Sequence, residues 1–301
     1  MSLADVFQSS PGLLIGGAFV LSLLIGSFLN VVIHRLPIML DRQWRDHARE
    51  LVAPDADSAV KTESLPEGPF NLLVPRSRCP HCHAEIKAHQ NIPILSYLLL
   101  GGKCAHCKAR ISPRYPIVEL GTAVLSAAVV WHFGWHWQTL AALVLTWALI
   151  ALTVIDLDHQ LLPDIITLPL LWLGLLLSLA WHAGLTPPAP TDPRSAILGA
   201  AAGYLSLWLV SWVFKLITGK EGMGYGDFKL LAAIGAFLGW KMLPAVILLS
   251  SLVGATVGIL LIVLAGRGRH IPIPFGPYLA AAGLIALFWG ETVNRTYLQF
   301  L

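Results

Sequence analysis

Apolar runs of bilayer length recur along this chain and leave little choice of architecture. "PGLLIGGAFVLSLLIGSFLNVVI" (11–33) is the first, and others follow at about 117–133, 137–155, 165–183, 196–217, 228–240, 244–266 and 276–290. A helix needs roughly 20 apolar residues to cross the hydrocarbon core. Only 12% of the 301 residues are charged, against about 25% in soluble domains. The reading is an all-α integral membrane protein of about eight transmembrane helices, with the short 228–240 run partly re-entrant as an alternative. No Lys or Arg precedes the first run, which is also too long for the core of a signal peptide, so it is read as an uncleaved span.

The charges orient these spans. Residues 35 to 114 hold 12 of the 20 basic residues against 8 acids, and basic loops stay in the cytoplasm. The expected organisation is a first transmembrane helix (1–34), a cytoplasmic lobe (35–115) and a transmembrane domain of about seven helices (116–301). "WHFGWHW" (131–137), "GLTPPAPTDPR" (184–194) and "GWKMLP" (239–244) then read as outer turns. Loops 156–164, 218–227 and 267–275 fall inside, the last with Arg267 and Arg269.

Acids beside lipid are costly, and "TVIDLDHQLLPDIITL" (153–168) places Asp156, Asp158 and Asp164 in nine positions. Pro163 favours a break, so Asp164 can cap the next helix. Asp158 and His159 read as solvated loop groups, whereas Asp156 follows "LIALTVI" with no polar spacer. A second acid, Asp227, ends "TGKEGMGYGD" (218–227), where Gly219, Gly222, Gly224 and Gly226 permit unusual torsions or the close approach of a substrate backbone. Two carboxyls brought close cannot both stay ionised and share a proton, giving a general acid and a general base. Aspartic-protease chemistry fits that pairing; so does a proton relay or cation site in a transporter.

The four cysteines form two clips, "CPHC" (79–82) and "CAHC" (104–107). In a reducing compartment this spacing points to a structural zinc held by Cys79, Cys82, Cys104 and Cys107. His81, His83 and His106 are alternative ligands. Four thiolates leave no open position for water, so such a metal would hold the lobe together. The stretch between the clips, with two lysines and no arginine, disfavours a nucleic-acid partner. Its apolar "IPILSYLLL" reads as a piece lying on the membrane face.

"GSFLNVVIHRLP" (26–37), the two cysteine clips, "DLDHQLLPD" and "GMGYGDFK" together closely resemble the bacterial type IV prepilin leader peptidases, membrane aspartic proteases of the GxGD kind. The likeness covers essentially the whole chain, with the blocks in the family's order. It implies catalytic roles for Asp156, the first Asp of D-x6-P-D, and for Asp227, with Asp158, Asp164, Gly224 and Gly226 in support. It implies removal of a basic leader, after a glycine, from type IV prepilins and type II secretion pseudopilins, at the cytoplasmic face of the bacterial inner membrane. Many members also methylate the new N-terminal amine with S-adenosylmethionine, and the long insert with its cysteine tetrad is typical of them.

No Rossmann-type glycine fingerprint marks a donor site. By resemblance the candidates are Gly102 and Lys103, for which a simple turn after "YLLL" is the equal alternative. Glu119 either serves methyl transfer or pairs with Arg110 or Arg114. Near the first span, Ser27 and Asn30 share a helix face and can bond to neighbouring helices, while His34 and Arg35 either anchor a helix end or touch the leader. From the residues alone, the rival function is a proton-coupled transporter with a zinc-stabilised cytoplasmic loop. A structural scaffold would leave the two acids unexplained. The oligomeric state is not encoded in any feature of the sequence.

Overall fold

The computed structural model describes residues 10–52, 70–182, 191–265 and 273–299. These are helical, without a named strand: α1 (Pro11–Val52), α2 (Leu95–Leu99), α3 (Arg114–Phe133), α4 (Trp137–His159), α5 (Asp164–His182), α6 (Pro193–Thr218), α7 (Tyr225–Leu238), α8 (Leu243–Ala265) and α9 (Gly276–Gln299). Five stretches are long and apolar enough to cross a membrane: Pro11–Ala48, Arg114–Phe133, Trp137–His159, Pro193–Thr218 and Trp240–Leu264. Asp164–Ala180 and Gly276–Gly290 are shorter apolar helices. Most of the acid-containing section at 50–69, most of the Pro-rich turn at 184–194, and Arg267 and Arg269 lie outside the described residues.

The chain divides into two compact units, one of Met1–Val20 with Val124–Leu301 and one of Leu21–Ala123. In the first unit, α7 is the centre. Its 14 residues span about 21 Å at 1.5 Å per residue, less than the roughly 30 Å hydrocarbon core. It is wrapped by α5, α6 and α9, and Phe228, Leu230, Leu231, Ile234 and Phe237 are buried. Such a helix can be apolar all round because protein, not water, surrounds it. Leu145, Leu149 and Leu152 of α4 and Leu279 of α9 complete this core.

Glycine makes the wrapping possible. A Cβ on Gly203 of α6 would stand 2.7 Å from the Leu231 carbonyl oxygen of α7, and one on Gly235 would collide with the Gly199 carbonyl. The two helices therefore lie backbone against backbone, as small residues allow between membrane helices. At its start α6 is capped by Asp192, which accepts from the Ser195 amide at 3.0 Å, with Pro193 in the first turn where its missing N–H costs nothing.

Two helix ends differ from the sequence expectation. α4 runs to His159, so Asp156 and Asp158 belong to its last turn and not to a loop. The helix closes at Gln160, three residues before Pro163, where Gln160 adopts a left-handed conformation (φ 51) and donates its amide to the Asp156 carbonyl at 2.9 Å. α1 does not end at residue 34 but continues through Pro37 to Val52. There, in the second unit, Arg45 and Asp41 form an (i, i+4) pair at 2.8 Å, and the Arg42 guanidinium lies 4.4 Å from the Phe70 ring centroid. These contacts sustain the helix past a residue that removes one of its hydrogen bonds.

The second unit also joins α1 to α3. A Cβ on Gly26 would stand 2.7 Å from the Glu119 Cα, and Asn30 Nδ2 donates to the Tyr115 carbonyl at 3.1 Å. Arg35 is buried and donates to the Asn71 and Pro75 carbonyls at 2.8 and 2.6 Å. It ties the middle of α1 to the 71–75 segment and does not anchor a helix end, because α1 continues past it. In α2, Leu95, Leu98 and Leu99 are exposed, which suits a short segment lying against lipid.

Replacing Gly235 by Leu forces α6 and α7 apart and is expected to cost about 1–3 kcal/mol or more by overpacking. The thermal midpoint in detergent should fall, while Gly16→Leu, at a position with nothing within 4 Å, should leave it unchanged.

Candidate functional site

Three segments of the first unit converge on one buried point. α4 delivers Asp156 from its last turn, 5% exposed. α7 delivers Asp227 from its first turn, 8% exposed. The start of α9 delivers the Gly276 amide, which donates to Asp156 Oδ2 at 3.0 Å across 120 positions of sequence. Leu162 lies against both Gly226, the neighbour of Asp227, and Gly276, whose amide holds Asp156, so acids 71 positions apart in the chain are drawn into one buried region.

Leu162 is the wedge on which these segments close. A Cβ on Gly226 would stand 2.7 Å from Leu162 Cβ, and one on Gly276 would stand 3.1 Å from Leu162 Cδ2 and 2.6 Å from Asp156 Oδ2. Both glycines are thus required by close approach. Gly224, the N-cap of α7, is extended (φ −77, ψ 148), and a Cβ there would rest 3.8 Å from Asp227 Oδ2. Of the four loop glycines only Gly219 uses a left-handed torsion, φ +69.

Asp227 Oδ1 is buried and has no hydrogen-bond partner among the described residues. Leaving such an atom unpaired is costly unless a water or ligand completes it. One carboxyl held by an amide and another with a free acceptor can bind and deprotonate a water.

The supporting acids take different places. Asp164 stands inside the first turn of α5, where its charge suits the helix N-terminus. Both its oxygens accept from Lys229 Nζ, at 2.6 and 2.7 Å. Lys229 lies two positions after Asp227, so this pair ties the start of α5 to the start of α7. Asp158 is exposed on the last turn of α4. The Pro and Gly of 269–279 read from sequence as a rigid re-entry near the active face, but the bond from Gly276 to Asp156 and the role of Lys229 escaped it. The signal for the first was "PFGP", a glycine between an aromatic and a proline; the second lay inside "GDFK" but its partner is 65 positions away.

The second unit holds the cysteine tetrad. Cys79, Cys82, Cys104 and Cys107 place their sulfurs within 4.8 Å of one another, with Cys79–Cys107 at 3.8 Å and Cys82–Cys104 at 4.0 Å. Sulfurs at the corners of a tetrahedron with metal–sulfur bonds of about 2.3 Å would be about 3.8 Å apart, so the four thiols fit a metal ion. The cluster found among the described residues contains no histidine.

Two knuckles build the tetrad by the same hydrogen bonds. Cys79 N donates to Ala84 O at 3.0 Å and His83 N to Cys79 O at 2.9 Å; Cys104 N donates to Ala109 O at 2.8 Å and Lys108 N to Cys104 O at 3.1 Å. Each turn places one non-glycine residue in the left-handed region, His83 (φ 55) and Lys108 (φ 58). The amides of Cys107 and His106 hold the Cys104 thiol down to about 6, favouring the thiolate that a metal binds.

Gly102 occupies a left-handed turn (φ +67) after α2, and a Cβ there would stand 3.0 Å from the Tyr97 hydroxyl. Its amide donates to the Tyr97 carbonyl at 2.8 Å, so the turn reading of "LLGGK" is realised. Lys103 begins the second knuckle, bridged to Arg110. Glu119 Oε2 accepts from the Ile94 amide at 2.8 Å, and the Ser27 hydroxyl also bonds to it. Ile94 sits at φ 59, ψ −49, rare for a β-branched residue, and the bond to Glu119 helps to hold it there.

The first unit is therefore that of a multi-pass membrane protein holding two buried carboxyls, from separate helices, in one region around Leu162 and Gly276. Residues 20–133 match the bacterial peptidase A24 N-terminal domain and residues 143–259 match the type IV leader peptidase family. A prepilin leader peptidase/N-methyltransferase of Pseudomonas aeruginosa is 55% identical over 100% of this chain and 99% of that one. The protein of the same name from Aeromonas hydrophila is 57% identical over 98% of both, and that of Neisseria gonorrhoeae 51% over 92% of this chain and 91% of its own. No solved structure matches. The chain belongs to the type IV leader peptidase family.

The purified protein should retain about one metal ion per chain, the content that one four-thiolate site holds. Elemental analysis of a Cys82→Ser, Cys104→Ser double variant is expected to find none, with the two remaining thiols open to alkylation.

Proposed function

We propose that this chain is a membrane aspartic endopeptidase that removes the leader from type IV prepilins and related pseudopilins after a glycine, and then N-methylates the new N-terminal residue. The observation that carries this reading is the burial of Asp156 and Asp227, remote in sequence, around the common contacts of Leu162 with Gly226 and Gly276. Full-length relatives that bear this activity in their names support it. The chain sits in the bacterial inner membrane with about eight helices, α7 among them, and the acid pair faces the cytoplasm.

In this mechanism Asp156 and Asp227 share one proton. The ionised carboxyl takes a proton from water as its oxygen attacks the scissile carbonyl; the protonated one gives its proton to the departing amine. The Gly276 amide fixes Asp156 Oδ2, and the unpartnered Asp227 Oδ1 is the atom that meets water or the peptide. Gly224 and Gly226 keep side chains out of the approach, and Asp164 with Lys229 fixes the start of α7. Asp158, exposed on the same last turn as Asp156, supports the site from the end of α4.

The metal of the tetrad is zinc, closed by Cys79, Cys82, Cys104 and Cys107 and structural in role. S-adenosylmethionine supplies the methyl group for the new amine. Its site belongs to the unit that carries Gly102, Lys103 and Glu119, where Gly102 shapes the turn on Tyr97 and Glu119 holds Ile94. A transporter gains no support: Glu119, Asp156 and Asp227 all lie within the first two turns or the last turn of their helices, with no ionisable ladder between.

Asp156→Asn and Asp227→Asn should each insert normally yet cleave no detectable prepilin, while still methylating a pilin that was cleaved beforehand. Cleavage by either variant with purified components would remove the dyad. Gly276→Ala pushes a methyl against Asp156 Oδ2 and should lower cleavage roughly a hundredfold, the scale of a 1 Å misplacement, with methylation unchanged. Both reactions are read by mass spectrometry of the product.

A further inference from the structure

The short helix α2 of the second unit turns its apolar side chains outward. Leu95, Leu98 and Leu99 share one face at helical spacing, and Leu98 and Leu99 are 67% and 78% exposed, while Ser96 is buried. The backbone under these side chains is closed to outside partners. The amides of Ser96, Leu98 and Leu100 donate to the carbonyls of Ile92, Ile94 and Ser96. Ahead of the helix the Ile92 amide donates to Ser96 Oγ at 3.0 Å, and behind it the Gly102 amide donates to the Tyr97 carbonyl at 2.8 Å.

Ile94 needs a special arrangement. It is the centre of a γ-turn, with the Leu95 amide bonded to the Pro93 carbonyl, in the form with positive φ (φ 59, ψ −49) that is rare and strained. Its own amide is met by Glu119 Oε2 of α3 at 2.8 Å. That bond also sets a depth. The 20 residues of α3 extend about 30 Å at 1.5 Å per residue, the thickness of the hydrocarbon core. Glu119 is its sixth residue, so Ile94 is tied about 7.5 Å from the start of a helix of membrane-crossing length. Ile117 and Leu120, beside Glu119 in sequence, are exposed as well.

We propose that α2 is an interfacial foot: its Leu95, Leu98 and Leu99 face lies in the headgroup–acyl boundary of the bilayer, held at that depth by Glu119. The inference needs α3 to cross the membrane and does not depend on either reaction proposed above. Three observations select lipid as the occupant. The Ile94–Glu119 bond puts the exposed face of α2 at the level of the exposed apolar residues of α3, within the 5–10 Å or so to which interfacial helices sink. Acyl chains neither donate nor accept hydrogen bonds, so a segment among them must satisfy its backbone internally, and this one does, at the cost of a strained turn. Lys103 and Arg110, exposed and bridged to each other directly after α2, supply the positive charge that phosphate headgroups attract. The foot therefore holds the second cysteine knuckle, which Lys103 begins, at the membrane surface.

The test reads contact directly. A photoreactive residue at position 98 or 99 of the full-length protein, in vesicles of phosphatidylethanolamine and phosphatidylglycerol, should give lipid adducts by mass spectrometry. At position 120 it should do the same, and at position 108, exposed on the knuckle, water should quench it. Quenching at 98 and 99 with lipid adducts at 120 would overturn the foot, as would adducts to added prepilin in place of lipid. Quenching at 120 as well would remove the insertion of α3, and the foot with it.

A second set of variants tests the hold. Glu119→Ala should abolish the lipid adducts at position 98, whereas Glu119→Gln, which keeps an acceptor for the Ile94 amide, should retain them. Adding Ile94→Gly to Glu119→Ala should restore them, because glycine takes a positive φ without a Cβ penalty. Adducts that survive Glu119→Ala, or that Ile94→Gly fails to restore, would show that Glu119 does not set the depth of α2.

Discussion

A helix too short to cross the bilayer governs the first unit. A helix this short suits a membrane protein when protein covers most of its surface, and α5, α6 and α9 pack around α7, whose residues from Leu230 to Phe237 are all buried. Because it is short, its N-terminus begins inside the helical assembly, and Asp227 in its first turn is carried into a buried setting. A helix of full spanning length would begin in the headgroup region and leave that acid in water. Backbone contact through Gly199, Gly203 and Gly235 is the physical condition for this arrangement.

Both acids are buried, and a few polar contacts fix the segments that carry them. The Gly276 amide orients Asp156, and Lys229 with Asp164 fixes the relative position of α5 and α7. Leu162, in the loop that follows α4, fills the space that Gly226 of α7 and Gly276 of α9 vacate. A small set of close approaches thus does what a larger soluble protease achieves with a deep core.

Much of this was readable from the chain. The apolar runs placed the helices, the cysteine spacing gave the tetrad, and the isolation of Asp156 and Asp227 among apolar residues marked them. What escaped depends on distance or on local closure. Asp156 was expected in a loop because Pro163 and the polar residues before it resemble a break, yet Gln160 closes the helix only after the acid. The first helix was expected to stop near residue 34, but Arg42 on Phe70 and Arg45 with Asp41 reward its continuation. Gly276 and Lys229 act on partners 120 and 65 positions away, and no periodicity encodes such meetings.

The link between α5 and α7 has a further consequence. Lys229 and Asp164 are 27% and 54% exposed in their side chains, so dissolved ions reach them and weaken their attraction. The acids they align are shut away from the solution. The geometry of a shielded centre is in this way handed to an unshielded brace, and the composition of the surrounding electrolyte acquires a grip on chemistry that it never touches.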